Sequence, residues 1–369
     1  MHFSNTILHW FKKNKRNLPW RNTTDPYKIW LSEIILQQTR VAQGLPYYEK
    51  FVHNYPDIKA LANAADDEVL RDWQGLGYYS RARNMHATAK FVVEHLNGQF
   101  PDKYVELLKL KGIGSYTAAA IASFSSNEAV AVLDGNVFRV LARYFGLSLD
   151  ILSNEGKKQF QELANSQLPQ DKAADHNQAI MEFGALQCVP KNPNCLACPL
   201  KDTCIAFDQK QVDILPVKLK KLAIKHRYLY YFLPMYNSSP ILMMRRRGSG
   251  DVWEGLYDMP SLESEKPLLE GSLVTEFSER FLNRNHEKDL EFNNCFTHYS
   301  PEFKHQLTHQ KLFIRFINIS EVFFPEFEDW CLKNGYLAYS LDEANNLPKP
   351  IIIANYLANK NSTNSLTII

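Results

Sequence analysis

Four cysteines fall within one short segment, and no other feature constrains the fold of this chain as strongly. They are Cys188, Cys195, Cys198 and Cys204, with the spacing C-x6-C-x2-C-x5-C. So compact a set of thiolates is typical of a cubane [4Fe–4S] cluster, one per chain. A structural zinc site usually has two C-x2-C pairs separated by a longer span, which this chain lacks. Disulfides are the third alternative, and they are disfavoured because no secretory signal is recognisable and the other two cysteines, Cys295 and Cys331, are distant.

Charge is distributed unevenly along the 369 residues, a length sufficient for two domains. Residues 1–227 carry 29 basic and 22 acidic side chains, whereas residues 228–369 carry 13 and 18. This asymmetry favours a polyanion bound by the first part, with solvated surface charge as the alternative. No apolar run reaches the length of a membrane span, so we expect no membrane association and a reducing, cytoplasmic location.

Hydrophobic periodicity divides the chain into an all-α part and an α+β part. Spacing near 3.6 residues predicts helices over 31–43, 66–73, 81–96, 115–124 and 136–146, with glycine or proline at the joints. Strand-like segments at 228–236, 240–247 and 309–319 and helical ones at 267–282 and 341–347 follow. The predicted organisation is a helical region over 1–215 containing the cysteine loop 188–204, a basic linker over 216–227, an α+β domain over 228–358, and a polar tail over 359–369.

A glycine-rich turn and an aspartate stand out within the helical part. Leu110-Lys111-Gly112-Ile113-Gly114-Ser115 joins two predicted helices. Such a turn directs backbone N–H groups at a helix N-terminus outward, where they bind a phosphate without reading the base. A pair of helix-ending glycines is the alternative. Asp134 lies among apolar residues just before a predicted helix, a position that is more often an N-cap than a catalytic one.

Taken together, these motifs resemble the adenine DNA glycosylase (MutY) family of the helix–hairpin–helix superfamily. The matching stretches span the first 205 residues. They are Leu18-Pro19-Trp20-Arg21, residues 25–33 (DPYKIWLSE), Leu36-Gln37-Gln38-Thr39, residues 75–84 (GLGYYSRARN), the hairpin, Leu133-Asp134-Gly135-Asn136-Val137 and the four cysteines.

The resemblance implies a monofunctional bacterial enzyme that removes adenine from A·8-oxoguanine mispairs, and more weakly from A·G, in base excision repair. It would act as a monomer on double-stranded DNA. The related endonuclease III type is an alternative, but its lysine nucleophile follows the hairpin where this chain has Tyr116. A non-catalytic iron–sulfur DNA-binding protein is a second alternative.

The resemblance also assigns roles to individual residues. Glu33, among apolar neighbours, would be the carboxylic acid that protonates the departing base, and Asp134 the ionised carboxylate that stabilises an oxocarbenium-like sugar. Tyr116 would lie near the sugar, and Asn136 would be a neighbouring donor. The residues that would line the adenine pocket are Arg16, Trp20, Arg21 and Gln178. Those that would contact DNA are Gln38, Thr39, Leu76, Tyr78, Lys111, Gly112 and Gly114.

The second domain resembles a Nudix-like fold at Trp253-Glu254-Gly255-Leu256-Tyr257-Asp258-Met259-Pro260. The acidic metal signature of Nudix pyrophosphatases is absent, which disfavours that activity. In the family this domain recognises 8-oxoguanine through a Phe-Ser-His loop, which corresponds here to Leu307-Thr308-His309. Two further departures are Lys111, where the family has a hairpin proline, and Phe138, where it often has a lysine.

Overall fold

The computed structural model describes residues 2–219, 224–236, 239–282, 295–307 and 309–364. The chain forms two compact units, one made of residues 1–64 with 81–221 and the other of residues 65–80 with 222–369. A short helical segment inside the region predicted as one helical domain, 65–80, therefore belongs to the second unit.

The first unit is helical because apolar residues recur at helical spacing and are punctuated by caps. Helix α9, Gly135–Phe145, shows the pattern: Asp134 caps its N-terminus by accepting a hydrogen bond from the Val137 N–H, and Gly146 ends it in the left-handed region at φ 67°. The helices are α1 His2–Asn14, α2 Pro26–Ile35, α3 Val41–Asn54, α4 Ile58–Asn63, α6 Ser80–His95, α7 Tyr104–Leu107, α8 Ser115–Ser126, α9 Gly135–Phe145, α10 Asn154–Gln167, α11 Ala173–Leu186 and α12 Ile205–Asp208.

The helix predicted over 31–43 is wrong in its continuity. Helix α2 ends at Ile35 and α3 begins at Val41, with Gln38 between them in the left-handed region at φ 55°. The Arg81 side chain donates from Nη1 to the carbonyl oxygens of Ile34, Ile35 and Gln37. These bonds satisfy the last carbonyls of α2, so a break that periodicity does not show is stabilised by a residue distant in sequence.

Helices α8, α9 and α11 pack around a core that also holds α1. Gly184 of α11 lies against Asn136, and a Cβ at Gly184 would come within 2.7 Å of the Asn136 Cβ. This close approach brings α11 alongside the start of α9. The N-termini of α8 and α9 and the middle of α2 thereby become the framework of the candidate site.

The described residues of the second unit form two β-sheets. The strands are β1 Lys225–Tyr236, β2 Ser239–Pro240, β3 Leu242–Arg246, β4 Tyr257–Asp258, β5 Ser261–Ser264, β6 Phe296–Tyr299, β7 Phe303–Gln306, β8 Gln310–Ile319 and β9 Leu337–Tyr339. In the larger sheet, β1 lies parallel to β8, with β2 and β5 also paired to β1 and with β6 and β7 paired to β8; the smaller sheet has the order β4–β3–β9. The helices are α5 Asp66–Asp72, α13 Glu270–Phe281, α14 Phe324–Lys333, α15 Leu341–Asn346 and α16 Ile351–Asn364.

An aromatic core lies between the larger sheet and helices α13 and α14. Phe232 of β1 contacts Phe277 and Phe281 of α13, with ring centroids 4.6 and 5.2 Å apart. Strand β1 begins at Lys225, inside the range predicted as a linker, and α16 continues to Asn364, inside the range predicted as a tail. None of the helices in the described ranges is both long enough and apolar enough to cross a membrane.

Candidate active site

Glu33 is an almost completely buried carboxylic acid on α2, only 7% exposed. Its Oε2 atom accepts a hydrogen bond of 2.7 Å from the Tyr116 hydroxyl of α8. Burial raises the pKa of Glu33 to about 7; the Tyr116 hydrogen bond opposes this rise, the negative charge of Asp134 adds to it, and the Arg21 charge opposes it. A substantial fraction of Glu33 is therefore protonated at neutral pH.

Asp134 is the second buried carboxyl, at the N-terminus of α9. One oxygen accepts from the Val137 N–H at 2.8 Å, and the other accepts from the Asn136 amide at 2.7 Å. Burial raises the pKa of Asp134, while these hydrogen bonds and the Arg139 charge lower it. Asp134 can therefore be an N-cap and a catalytic carboxylate at once, because the capping bond from Val137 uses only Oδ1, while the Asn136 amide donates to Oδ2.

The two carboxyls differ in how their anions are stabilised. Among the described residues, Val137 and Asn136 donate to Asp134, whereas Glu33 accepts from the Tyr116 hydroxyl. Burial and the Glu33 charge raise the pKa of that hydroxyl well above its usual value. Of two interacting carboxyls, the better hydrogen-bonded one ionises first. The arrangement therefore provides one acid that keeps its proton near neutrality beside one carboxylate, as general acid catalysis of glycosidic cleavage requires.

Glu182 of α11 is a buried acid that the sequence analysis did not single out. Its two oxygens accept a forked pair of bonds from Arg16, at 2.9 and 2.6 Å, and a second pair from Arg21, at 3.1 and 2.8 Å. Its side chain is 1% exposed, and the bonds from both arginines bring its pKa down to about 2. The sequence does indicate this site, because Glu182 lies inside the apolar run AIMEFGAL and a glutamate is rarely buried without a partner.

The predicted pocket residues are partly brought together by this ion pair. Arg16 and Arg21 are joined through Glu182, and Gln178 lies one turn before Glu182 on the same face of α11. Trp20 is half-buried and packs edge-on against the Tyr48 ring, with centroids 5.2 Å apart. Its position here is therefore at the edge of the helical core.

We expect Glu182→Gln to lower the free energy of unfolding by about 3 kcal/mol, because it leaves two guanidinium groups incompletely paired in a buried site. Urea unfolding followed by circular dichroism measures the change. Glu162→Gln, at an exposed position of α10, is the matched control and should have little effect. Equal stability of both variants would contradict this account of the ion pair.

The hairpin residues present backbone donors to solvent. Gly112 is in the left-handed region at φ 78°, and a Cβ there would meet the Asn84 Cβ at 2.9 Å. Gly114 precedes α8 as its N-cap residue, without a side-chain cap. Lys111, Gly112 and Gly114 are all exposed. Uncapped N–H groups at a helix N-terminus with an adjacent lysine favour phosphate binding.

The predicted DNA-contacting loops have unusual backbone conformations. In the first unit, Gln38 is exposed at φ 55° and Thr39 is half-buried. In the second unit, Tyr78 is 47% exposed at φ 48°, whereas Leu76 is only 6% exposed. A bulky residue held at positive φ is uncommon and costs about 1–3 kcal/mol, so such residues are concentrated at functional sites.

The four clustered cysteines, all free thiols, line one cavity. Arg143 of α9 also lines it and donates from Nη1 to the Cys188 sulfur at 3.5 Å and to the Val189 carbonyl at 2.8 Å. Within the described ranges, no three Cys, His, Asp or Glu side chains converge as the ligands of one metal ion would. In a cubane each thiolate binds a different iron, so four cysteines around one cavity are the residue types and the number that such a cluster requires.

Helix α9 connects the cysteine loop to Asp134. Arg139 donates to the Cys188 carbonyl at 2.7 Å and to the Asn136 side-chain oxygen at 2.9 Å, and Asn136 in turn donates to Asp134. Neither arginine of α9 was singled out from sequence, although an arginine in an apolar helix was a visible signal. The cysteine loop and helix α9 are thus hydrogen-bonded into one assembly.

In the second unit, Leu307 and His309 lie at the turn between β7 and β8, and Thr308 falls outside the described residues. The Leu307 N–H donates to the Gln310 carbonyl at 2.8 Å, and His309 is exposed. Next to the turn, His305 is half-buried with its ring 6.0 Å from that of Trp253, and burial lowers its pKa. The turn thus offers one exposed imidazole for contact.

Comparisons with known proteins identify this arrangement. Residues 31–169 match the HhH-GPD superfamily of base excision DNA repair proteins. A thermostable thymine-DNA glycosylase of known structure is similar, with a TM-score of 0.53 and 32% identity, over 56% of this chain and 95% of that chain. The helical unit is thus that of a helix–hairpin–helix DNA glycosylase, and the protein is an enzyme of base excision repair.

Relatives that match most of this chain identify the family more closely. An adenine DNA glycosylase of Buchnera aphidicola subsp. Baizongia pistaciae is 37% identical over 85% of this chain and 84% of its own length. A second, from Buchnera aphidicola subsp. Schizaphis graminum, is 32% identical over 95% of this chain and 96% of its own length. The chain belongs to the adenine DNA glycosylase family. The resemblance inferred from the motifs is confirmed.

Proposed function

We propose that this enzyme removes adenine paired with 8-oxoguanine, and more slowly adenine paired with guanine, with Glu33 as the general acid. The observation that carries the proposal is the pair of buried carboxyls, one with a pKa raised to about 7 and the other, Asp134, held by two hydrogen bonds. The target base must first leave the duplex, because two buried carboxyls cannot act on the base and its glycosidic bond while the base is stacked.

Glu33 donates its proton to the base, which then departs as a neutral leaving group. Asp134, with its charge fixed by the Val137 and Asn136 donors, stabilises the positive charge that develops on the sugar. Tyr116 holds Glu33 through its hydroxyl and occupies the slot where a lysine nucleophile would be needed for Schiff-base chemistry. Water completes the hydrolysis, so the product is an abasic site in an uncut strand.

Recognition is divided between the two units in this proposal. Arg16, Trp20, Arg21 and Gln178 line the adenine pocket, and the α7–α8 hairpin binds phosphate through its exposed backbone. The residues that enter the duplex as wedges are Gln38 and Thr39 in the first unit and Leu76 and Tyr78 in the second. The second unit is an α/β region that we assign to a Nudix-like fold, and it recognises 8-oxoguanine through Leu307, Thr308 and His309. The protein acts as a monomer in the bacterial cytoplasm.

One assay tests the activity. A duplex with a single A·8-oxoguanine pair is incubated with excess enzyme, and half of each sample is treated with hot alkali. Strand cleavage only after alkali supports monofunctional adenine excision, whereas cleavage without alkali supports endonuclease III-type chemistry. No cleavage under either condition would leave a non-catalytic DNA-binding protein. An A·G duplex measured in parallel gives the preference for the lesion.

The pH dependence tests the identity of the acid. Glu33 must be protonated to act, and burial sets its pKa at about 7. The single-turnover rate should therefore be nearly constant below pH 6 down to the limb where Asp134 takes up a proton, and should fall by about tenfold per pH unit above 8. A rate that stays level from pH 6 to pH 9 would contradict the assignment of Glu33.

We further propose that Cys188, Cys195, Cys198 and Cys204 hold a [4Fe–4S] cluster in the cavity that they line. The cluster would fix the loop through the thiolates, while Arg139 and Arg143 connect that loop to α9. Purified protein should contain about four irons per chain and absorb broadly near 400 nm.

Cys198→Ser should lose iron and DNA binding together. Cys295→Ala, which removes a buried thiol from the other unit, is the control and should retain both. Stoichiometric zinc in colourless protein would contradict the cluster assignment.

A further inference from the structure

The segment 65–80 ends in the loop that carries Leu76 and Tyr78, and it is held by the second unit. Its helix α5 begins at Asp66 and ends at Asp72. Asp67 forms an ion pair with Arg246 of β3, with 3.2 Å between Nη2 and Oδ1. The Tyr257 hydroxyl of β4 donates to the other Asp67 oxygen at 3.4 Å. Arg246 and Tyr257 are register partners across β3 and β4, so one face of the smaller sheet presents both groups to one carboxylate.

A second set of contacts lies at the other end of α5. Arg71 donates to the Asn346 carbonyl at 3.4 Å, and the Gln74 side-chain oxygen accepts from the Lys349 N–H at 3.2 Å. The Lys349 backbone is itself fixed, because its 2% exposed side chain donates to three carbonyls at the end of α15. Gln74 therefore meets a rigid part of the second unit.

Trp73 connects these contacts to the exposed end of the loop. Trp73, directly before Gln74, is fully buried, and its indole N–H donates to the Gly77 carbonyl at 2.9 Å. Gly75 and Gly77 have φ values of 105° and 71°, and the next residue, Tyr78, follows at 48°. The two glycines adopt positive φ without steric cost, but Tyr78 does not, and a bulky residue keeps such a conformation only where its surroundings hold it there. Here the surroundings include Trp73 and the groups that fix α5.

We infer that Asp67, Arg246 and Tyr257 are positioning residues for base extrusion: they let the second unit set the Tyr78 loop in its duplex-entering conformation. This inference rests on the proposed role of Leu76 and Tyr78 as duplex wedges. It assigns to the α/β unit a part in opening the duplex, separate from contact with the opposite base. The Asp67 contact does not involve the two carboxyls, the hairpin or the cysteines, so it can be changed without altering those groups.

The small energy of the Asp67–Arg246 ion pair determines which variants are informative. The Asp67 and Arg246 side chains are 39% and 42% exposed, and an ion pair of that kind is worth little when merely neutralised. Asp67→Arg is more informative, because it removes the acceptor for Tyr257 and places two guanidinium groups together. The double variant Asp67→Arg with Arg246→Asp restores opposite charges in the same place.

The test measures extrusion and chemistry separately. Extrusion is followed by the fluorescence of 2-aminopurine placed beside an A·8-oxoguanine pair whose target carries a non-cleavable 2′-fluoro sugar. Chemistry is followed by single-turnover excision at saturating enzyme. Asp329→Arg on α14 is the matched control, because it reverses an exposed aspartate of the same unit that pairs only with Lys333 among the contacts described.

For Asp67→Arg we expect the fluorescence rise and the excision rate to fall together by about five- to tenfold, with unchanged melting temperature and iron content. The double variant should recover most of both, and Asp329→Arg should match the unaltered protein. Unchanged fluorescence in Asp67→Arg, or a loss that the double variant does not recover, would overturn the inference. Tyr78→Ala is measured beside them: normal extrusion in that variant would instead overturn the wedge role itself, and absence of excision by unaltered protein would overturn the proposed function.

Discussion

We expect Glu33→Gln to abolish adenine excision while leaving duplex affinity almost unchanged. The amide has nearly the shape of the acid and still accepts from the Tyr116 hydroxyl, but it has no acidic proton to give to the base. General acids of this kind contribute about 10²–10⁴-fold, and the buried position of Glu33 leaves little room for water to replace it.

Single-turnover excision on an A·8-oxoguanine duplex, with binding measured by fluorescence anisotropy at the same salt concentration, separates the two effects. Glu49→Gln, at an exposed position of α3, is the matched control and should keep full activity. Retention of more than about a tenth of the normal rate by Glu33→Gln would remove Glu33 from the role of acid.

We expect Asp134→Asn to reduce excision by about 10²–10³-fold, because a neutral amide no longer offsets the positive charge on the sugar. Stability should change little, because asparagine caps a helix about as well as aspartate and can still accept from the Val137 N–H. The variant therefore distinguishes a catalytic role for Asp134 from a purely structural role as the N-cap of α9.

The control for this variant is Asp57→Asn. Asp57 caps α4 in the same way, by accepting from the Ala60 N–H at 2.8 Å, but it lies outside the site. Thermal melting and single-turnover excision are measured for both variants. If Asp134→Asn melted earlier and still excised adenine at the normal rate, then Asp134 would be an N-cap and nothing more.

Only one of these two carboxyls is identified by its local pattern. Asp134 precedes a helix in a motif of five residues, and its donors, Val137 and Asn136, are three and two residues away. Glu33, in contrast, depends on Tyr116, which is 83 residues later in the chain. The raised pKa of Glu33 is a property of burial by α2 and α8 together, which periodicity in either helix does not contain.

By itself, the sequence determined the features that depend on neighbours within about one helical turn or on a fixed spacing. These are the helical character of the first part, the glycine turn before α8, the cap at Asp134, the cysteine set and the change to strands in the second part. Hydrogen bonds within a turn, φ preferences and apolar periodicity act over this range, so residue type and order suffice to predict them.

Only the tertiary structure decided which distant groups meet. It broke the helix predicted over 31–43, joined Arg16 and Arg21 through Glu182, and linked Asp134 to the cysteine loop through Arg139. It also assigned residues 65–80 to the second unit, where Asp67 meets Arg246. Each of these depends on the packing of elements far apart in the chain, where a buried charge must find a partner and local patterns do not say which one.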